Sequence, residues 1–450
     1  MDHDRPVAIA GDRIEQPSSI RRNDASPHLD DRTRILKIVI ATALVNGLEL
    51  FDVMVFGLFA AIIGGQFFAF AGAAKSALFA AVAFGASFWA RPVGALVIGA
   101  YADRFGRRKA LIATCWIATL GTAALALCPP YATLGIAAPA IVVAARILQG
   151  LAAGGEIGPS SAFVMEAVPA SRRGYFVSCQ LAGNGLAPLL GALVGVLLSD
   201  LLSPAQLSAW GWRIAFAVGM PLVALSYYAR RQLSDVDARF SRKPGGKAYK
   251  PVRKLFRHHG RTLVLATLLT SCSTVPLYAV VFYMPTYMSH VIHKPIVTGF
   301  LSTAISALLL MALSPLLGLL IDKMPRRKPL LLAAAVGGAL AVYPVFLLVT
   351  RIGTAAALLI GVSCMTVIVA FGGCVAAVLV LEALPRHVRA TGRGTSYALG
   401  AALFGGTAPL IVTALIKWTG DPVSIAWYVA PCCLLSAGAV LRLKEGRWVA

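Results

Sequence analysis

The sequence predicts an all-α membrane protein of twelve transmembrane helices arranged as two six-helix bundles, and three observations carry that expectation. Hydrophobic residues fill 58% of the 450 positions and charged residues only 13%, about half the charge of an ordinary soluble domain. Apolar runs of about 20 residues, long enough to cross a bilayer, recur along the chain. A charged loop motif after the second run returns after the eighth, as a duplicated bundle would have it. This composition excludes a disordered chain, a coiled coil and a disulfide scaffold.

In chain order, the apolar runs lie at roughly 36–63, 76–101, 110–127, 132–157, 175–198 and 212–229, then at 262–285, 297–321, 329–349, 354–380, 394–416 and 424–441. The domains that follow are a polar tail (1–34), a first bundle (35–229), a basic connector (230–261), a second bundle (262–442) and a short tail (443–450). The 42 Gly and 25 Pro are spread through the runs, where membrane helices tolerate them better than soluble ones. Residues 1–34 lack an apolar core, so no removable signal peptide is expected there and the first span should direct insertion.

The net charge of +22 raises the question of a polyanionic partner, and the positions of the charges answer it. Of the 41 Lys and Arg, 34 fall in 1–37, 104–109, 172–173, 230–261, 323–328, 386–393 and 442–447, all on one side of the predicted topology. The other side holds Lys75, Lys294, Arg351 and Lys417. The positive-inside rule then places both termini in the cytoplasm of a multi-pass inner-membrane protein. The basic residues face lipid headgroups, and no nucleic-acid partner is expected. The eight cysteines sit in or beside spans without metal-binding spacing and read as small apolar fillers.

The repeat is specific. Gly99-Ala-Tyr-Ala-Asp103-Arg104-Phe-Gly-Arg107-Arg108-Lys109 reappears as Gly318-Leu-Leu-Ile-Asp322-Lys-Met-Pro-Arg326-Arg327-Lys328, 219 residues later. Glu166-Ala-Val-Pro169 with Arg173 reappears as Glu382-Ala-Leu-Pro385 with Arg389, 216 residues later. Two such halves can rock about a central site. Gly99 and Gly318 allow close approach of a neighbouring helix. Asp103 and Asp322 stand at helix C-termini, where the dipole disfavours a carboxylate. They need partners, either the adjacent arginines or the N-terminus of a helix from the other half. Asp103, Arg104, Arg107, Arg108, Asp322, Arg326 and Arg327 are therefore a candidate conformational latch.

These residues resemble the major facilitator superfamily, whose signature loop between spans two and three has the pattern of 99–109. More narrowly, Asn46-Gly-Leu-Glu49-Leu-Phe-Asp52, Arg91-Pro-Val-Gly, Arg146-Ile-Leu-Gln149-Gly-Leu-Ala-Ala-Gly154-Gly155-Glu156 and Glu382-Ala-Leu-Pro-Arg-His-Val-Arg389-Ala-Thr-Gly resemble the metabolite:proton symporters. The resemblance covers about residues 35–445. It departs at Leu50, where an aromatic is usual, and at Met324-Pro325, which replaces Phe105-Gly106. Within the family, Tyr131–Pro139, Tyr283-Met-Pro-Thr-Tyr287 and Phe404-Gly-Gly-Thr-Ala-Pro409 are most similar to citrate and tricarballylate carriers.

Ionisable groups at membrane depth are costly, rare and usually functional. Glu49 and Asp52 lie three apart, on one helix face. Two such carboxylates in a low dielectric do not both ionise easily, which suits a group that takes up and releases protons. The resemblance places span one beside span four and implies pairing of Asp52 with Arg146, as in the related sugar:proton porters. Asp52, Arg146 and Glu49 are thus the candidate proton-coupling set. Arg91 is a lone mid-span guanidinium whose forked donors suit a carboxylate; Glu49 or Asp52 is its alternative partner. Gln149 shares the face of Arg146, and Asn184, Gln180 and Tyr397 are further candidate substrate contacts. Glu156, near the cytoplasmic end of span four, reads as a gate facing Arg172 or Arg173. The tyrosines at 278, 283 and 287 with Phe282 fit either a pore lining or an interfacial belt.

The resulting expectation is a transporter, not an enzyme: a proton symporter importing a small organic anion, citrate or a related tricarboxylate, by alternating access. Protons serve as coupling ion and no cofactor is expected; a monomer in the bilayer suffices. The rival with the same fold carries 2-oxoglutarate, shikimate or a zwitterionic osmolyte. A membrane-embedded enzyme would need a metal cluster or a Ser-His pair at membrane depth. All seven histidines lie in tails or loops.

Overall fold

The structure is a computed structural model that describes residues 39, 40, 43, 47, 50–57, 59–219, 228, 251–292 and 296–443. The principal helices of the first half are α1 (Ala60–Phe67), α2 (Ala73–Phe105), α3 (Arg107–Leu127), α4 (Ala137–Ala167), α5 (Arg173–Ala182) and α6 (Leu186–Leu201). Those of the second half are α7 (Pro251–Pro276), α8 (Ile296–Lys323), α9 (Lys328–Ile352), α10 (Ala355–Ala383), α11 (Arg389–Gly400), α12 (Ala408–Thr419) and α13 (Ala426–Arg442). Among the described residues ten helical segments are long and apolar enough to cross a membrane. The first and sixth predicted spans fall partly outside the described residues, as do the tails and most of the connector.

Helix is the form in which a lone segment bonds its own backbone inside lipid. Hydroxyls obey the same rule: Thr267 and Thr366 donate to the carbonyls of Leu263 and Val362 one turn back, at 2.9 and 2.8 Å. The outer faces carry large apolar side chains such as Trp89, Leu127, Leu340 and Trp418, a surface that suits lipid.

The first helix of the second half starts before the predicted span. Helix α7 begins at Pro251, and a kink at His259 separates its first turns from the span proper. Its amphipathic start buries Leu255, close to where Gly392 and Leu384 meet. The two copies of the loop motif also turn differently. Between α2 and α3 the turn is Gly106 alone, at φ 106°, a conformation open to glycine and strained for other residues. In the second copy, where Pro325 replaces it, the turn takes residues 324–327.

Glycines set the spacing of α2 and α4. A Cβ on Gly94 would meet the carbonyl oxygen of Leu151 at 2.1 Å, one on Gly150 that of Ser87 at 2.1 Å, and one on Gly154 that of Arg91 at 2.0 Å. Backbone contact of this kind is how small residues pack membrane helices. It brings Ser87 and Arg91 of α2 opposite Arg146 and Gln149 of α4. Between the halves, α11 packs on α2 and α4, and α8 packs on α5 and α6. These two crossings correspond to each other under the duplication.

Candidate functional site

The candidate site has a buried cluster around a carboxylate, a cavity, and the pair of loop carboxylates expected to act as latches. The cluster surrounds Asp52, 7% exposed on the helical stretch 50–57. Thr122 of α3 donates to Asp52 Oδ2. Gln149 Nε2 reaches the same oxygen at 3.4 Å and Thr122 Oγ1 at 3.1 Å. Arg146, fully buried, donates from Nη1 to Gln149 Oε1 at 2.6 Å and from Nη2 to Ser87 Oγ at 2.9 Å. Its guanidinium lies over the rings of Phe56 and Phe84, 4.4 and 5.6 Å from the centroids. Gly219 leaves room for the carboxylate: a Cβ there would come within 3.0 Å of Asp52 Oδ1.

This geometry changes two expectations. Gln149 stands between Asp52 and Arg146, so the expected ion pair is relayed through an amide. Gln149 is thereby held within the cluster instead of being free for a substrate. The relay follows from spacing, because positions 146 and 149 share one helix face and the amide can accept from the cation while donating to the carboxylate. Glu49 lies outside the described residues.

Toward the second half stands Arg91, 2% exposed. Its Nη1 donates to the hydroxyl of Tyr278 at 3.2 Å, and its carbon lies 4.0 Å from the ring centroid of Phe88. Among the described residues its Nε and Nη2 have no acceptor. Phe88 packs edge-on against Tyr278, which packs edge-on against Phe282. Tyr397, 9% exposed, lies in the electrostatic field of both Arg91 and Arg393.

Between α5–α6 on one side and α7, α8, α10 and α11 on the other lies a cavity of about 60 Å³. Asn184, Thr270, Ser273, Thr274, Arg393 and Tyr397 supply its polar wall. Gln180, buried on α5, donates to Ser160 Oγ at 2.7 Å and stays out of that wall. The aromatic set at 278–287 divides. Tyr278 belongs to the centre, whereas Tyr283 bonds Thr413 at 2.7 Å and Tyr287 donates to the Pro422 carbonyl at 3.0 Å. Both of the latter have structural roles.

The latches lie at the loop side. Asp103 Oδ2 accepts from the Thr391 backbone N–H at 2.9 Å and from its hydroxyl. Asp322 accepts from the N–H groups of Gly174 and Tyr175 at 2.6 and 2.8 Å. Each carboxylate thus caps the N-terminus of a helix in the other half, where the dipole favours it. Gly99 and Gly318 permit both approaches, since a Cβ there would meet Thr391 Cα at 3.1 Å and Tyr175 Cα at 2.7 Å.

Of the motif arginines, Arg327 interacts electrostatically with Asp322. Arg104 and Arg326 are exposed, Arg104 lying over Phe105 at 5.0 Å, and Arg327 pairs with Glu382 inside its own half. The side chains of Arg107 and Arg108 fall outside the described set. Among the described residues a charge pair that crosses the halves is Arg389 with Glu166, at 3.7 Å. Glu166 is also the carboxylate near Arg173, the place expected for Glu156. Glu156 is fully buried on α4, two residues before Gly158, where a Cβ would meet the Ala390 carbonyl oxygen at 2.1 Å.

Thr122, Ser87 and Arg393 are residues of this centre that sequence reasoning missed, whereas Tyr278 is among those it offered as a pore lining. Its position in 386–393 groups Arg393 with the loop cations, yet it is 2% exposed.

A family model of the Major Facilitator Superfamily matches residues 42–409. The chain belongs to that superfamily. It is 33% identical over 409 residues to the citrate-proton symporter of Salmonella typhi, covering 89% of this chain and 93% of that protein. It is 31% identical over 404 residues to the alpha-ketoglutarate permease of Escherichia coli, covering 89% and 91%. The fold matches the structure of the proton:xylose symporter XylE bound to 6-bromo-6-deoxy-D-glucose, with a TM-score of 0.73, 17% identity and coverage of 92% and 96%. The protein is a multi-pass membrane transporter, not an enzyme.

Proposed function

We propose that this protein is a proton-coupled symporter that imports an organic acid anion by alternating access, with citrate or a related tricarboxylate as first candidate. The observation that carries the reading is Arg91: a buried cation with two unused donors, one helix away from a buried carboxylate held by Thr122, Gln149 and, through Gln149, Arg146. The first is suited to a substrate carboxylate and the second to a proton. Proteins with about a third of this sequence in common are named for citrate-proton symport and for alpha-ketoglutarate, which supports an acid as cargo. The described lining of the cavity holds Arg393 and no acidic group, which suits an anion.

In the proposed cycle both termini are cytoplasmic. Asp52 takes a proton from outside, substrate binds at Arg91, the latches at Asp103 and Asp322 open, and both ligands leave inward. Protons offset the cost of moving an anion against an inside-negative potential, about 2.3 kcal/mol per charge per 100 mV. Uptake of labelled citrate and 2-oxoglutarate into proteoliposomes tests this. Accumulation should follow an imposed pH gradient and vanish in Asp52→Asn; uptake unchanged in that variant removes the coupling role.

A further inference from the structure

We propose that the substrate bridges the two halves, one carboxylate on Arg91 and a second on Arg393, so that the site selects acids with at least two carboxylates. This deepens the proposed function and rests on its organic-anion reading. Arg91 comes from α2 of the first half and Arg393 from α11 of the second, and each is 2% exposed. Arg393 leaves Nε and Nη1 without an acceptor, as Arg91 leaves Nε and Nη2. Among the described residues no carboxylate lies within ion-pair distance of either guanidinium. The neighbours they do have are aromatic: Arg91 lies over Phe88, and Arg393 is 5.6 Å from the Tyr397 ring centroid.

Two buried guanidinium groups with no carboxylate partner among the described residues are an expensive arrangement, and a bound polyanion neutralises both. Helix α7 and the turn that follows it link them in space: Arg91 bonds Tyr278, one turn beyond Thr274, which lines the cavity together with Arg393 and Tyr397. Beside Arg393 the cavity is lined by Thr270, Ser273 and Thr274, whose hydroxyls donate to carbonyls of their own helix and can accept from a substrate hydroxyl. A monocarboxylate fills one arginine and strands the other. A zwitterion brings its own cation into a positive site. A substrate that ties both halves together also favours the closed arrangement that has to precede reorientation.

The test uses the purified full-length protein in detergent, so that binding is read without a proton gradient. Citrate, glutarate, butyrate and betaine are compared by the thermal shift each produces over a concentration series. Citrate and glutarate should stabilise the protein, while butyrate and betaine at equal concentration leave it unchanged. In Arg393→Gln, citrate affinity should fall roughly 30-fold or more, the loss typical of truncating one partner of a buried charge pair. Arg393→Lys, which keeps the charge and loses the fork, should fall between the two.

Butyrate binding as tightly as glutarate overturns the bridge and leaves the organic-anion reading standing. Betaine binding in place of the acids overturns both. Wild-type citrate affinity in Arg393→Gln also overturns the bridge. Should that variant fail to fold, the panel on the unaltered protein decides alone.

Discussion

The loop-side latches and the mid-membrane centre treat the duplication in opposite ways. At the latches the halves mirror each other: Asp103 caps the start of α11, Asp322 caps the start of α5, and Gly99 and Gly318 open the space for both. At the centre they do not. Asp52, Arg91, Arg146 and Gln149 all come from the first half, whereas the second half supplies hydroxyls, Tyr278, Tyr397 and Arg393. The latch hydrogen bonds join carboxylates to waiting N–H groups, while the central arginines keep unused donors. Symmetry therefore suits a motion shared between the halves, and asymmetry suits the separate proton and substrate sites of the proposed function.

The largest effect should come from breaking the centre on one side only. Arg146→Gln removes the cation whose amide relay supports Asp52, and Asp52→Asn leaves Arg146 buried without a counter-charge. Removing one partner of a buried ionic group costs about 3–5 kcal/mol, and replacing both costs far less. The double variant should therefore melt at a higher temperature than the poorer single variant. Additive losses would show that the two groups act independently.

A smaller and symmetric effect is expected at the latches. Asp103→Ala and Asp322→Ala each remove charge-assisted hydrogen bonds worth about 1.5–3 kcal/mol to the loop-closed state. Distances between spin labels at the two loop ends should lengthen by similar populations in the two variants. A response confined to one of them would break the mirror relation. The smallest effect serves as a scale: a Cβ on Gly438 of α13 meets nothing within 4 Å, so Gly438→Ala should raise stability by about 0.4–1 kcal/mol and leave latch and transport alone.

The spans, the repeat and the exceptional charges were legible in the sequence because each follows from one-dimensional rules: apolar length, a fixed offset, and the rarity of ionisable groups in lipid. Asp103 and Asp322 were legible too, since a carboxylate at a helix C-terminus demands an outside partner. Arg393 was not. It sits in the polar stretch of α11, where nearly every residue is buried, and low hydropathy there reflects burial against α2 and α4, not exposure to water. Thr122 and Ser87 were hidden for another reason. Membrane threonines commonly bond their own helix, as Thr119 does to Cys115, and nothing along the chain marks the one that turns toward Asp52. The relay through Gln149 needed the actual separation of α4 from the first span, which the resemblance to sugar porters does not give.

Two wide turns in the second half extend this contrast. Residues Leu277–Phe282 and Ala401–Gly405 follow π-helical geometry, with Tyr283 N–H reaching back to the Tyr278 carbonyl and Gly406 N–H to that of Ala401. Both lie where their spans pass the centre, and they pack on each other and on α7. A π-turn holds one residue more than an α-turn, so it works like slack in a rope. The stretches beyond it can rotate or tilt while Arg389 and Thr391, below it on the same span, remain fastened at the loop side. A helix built this way has two ends that need not move together, and that independence is what a carrier with an opening on each side has to possess.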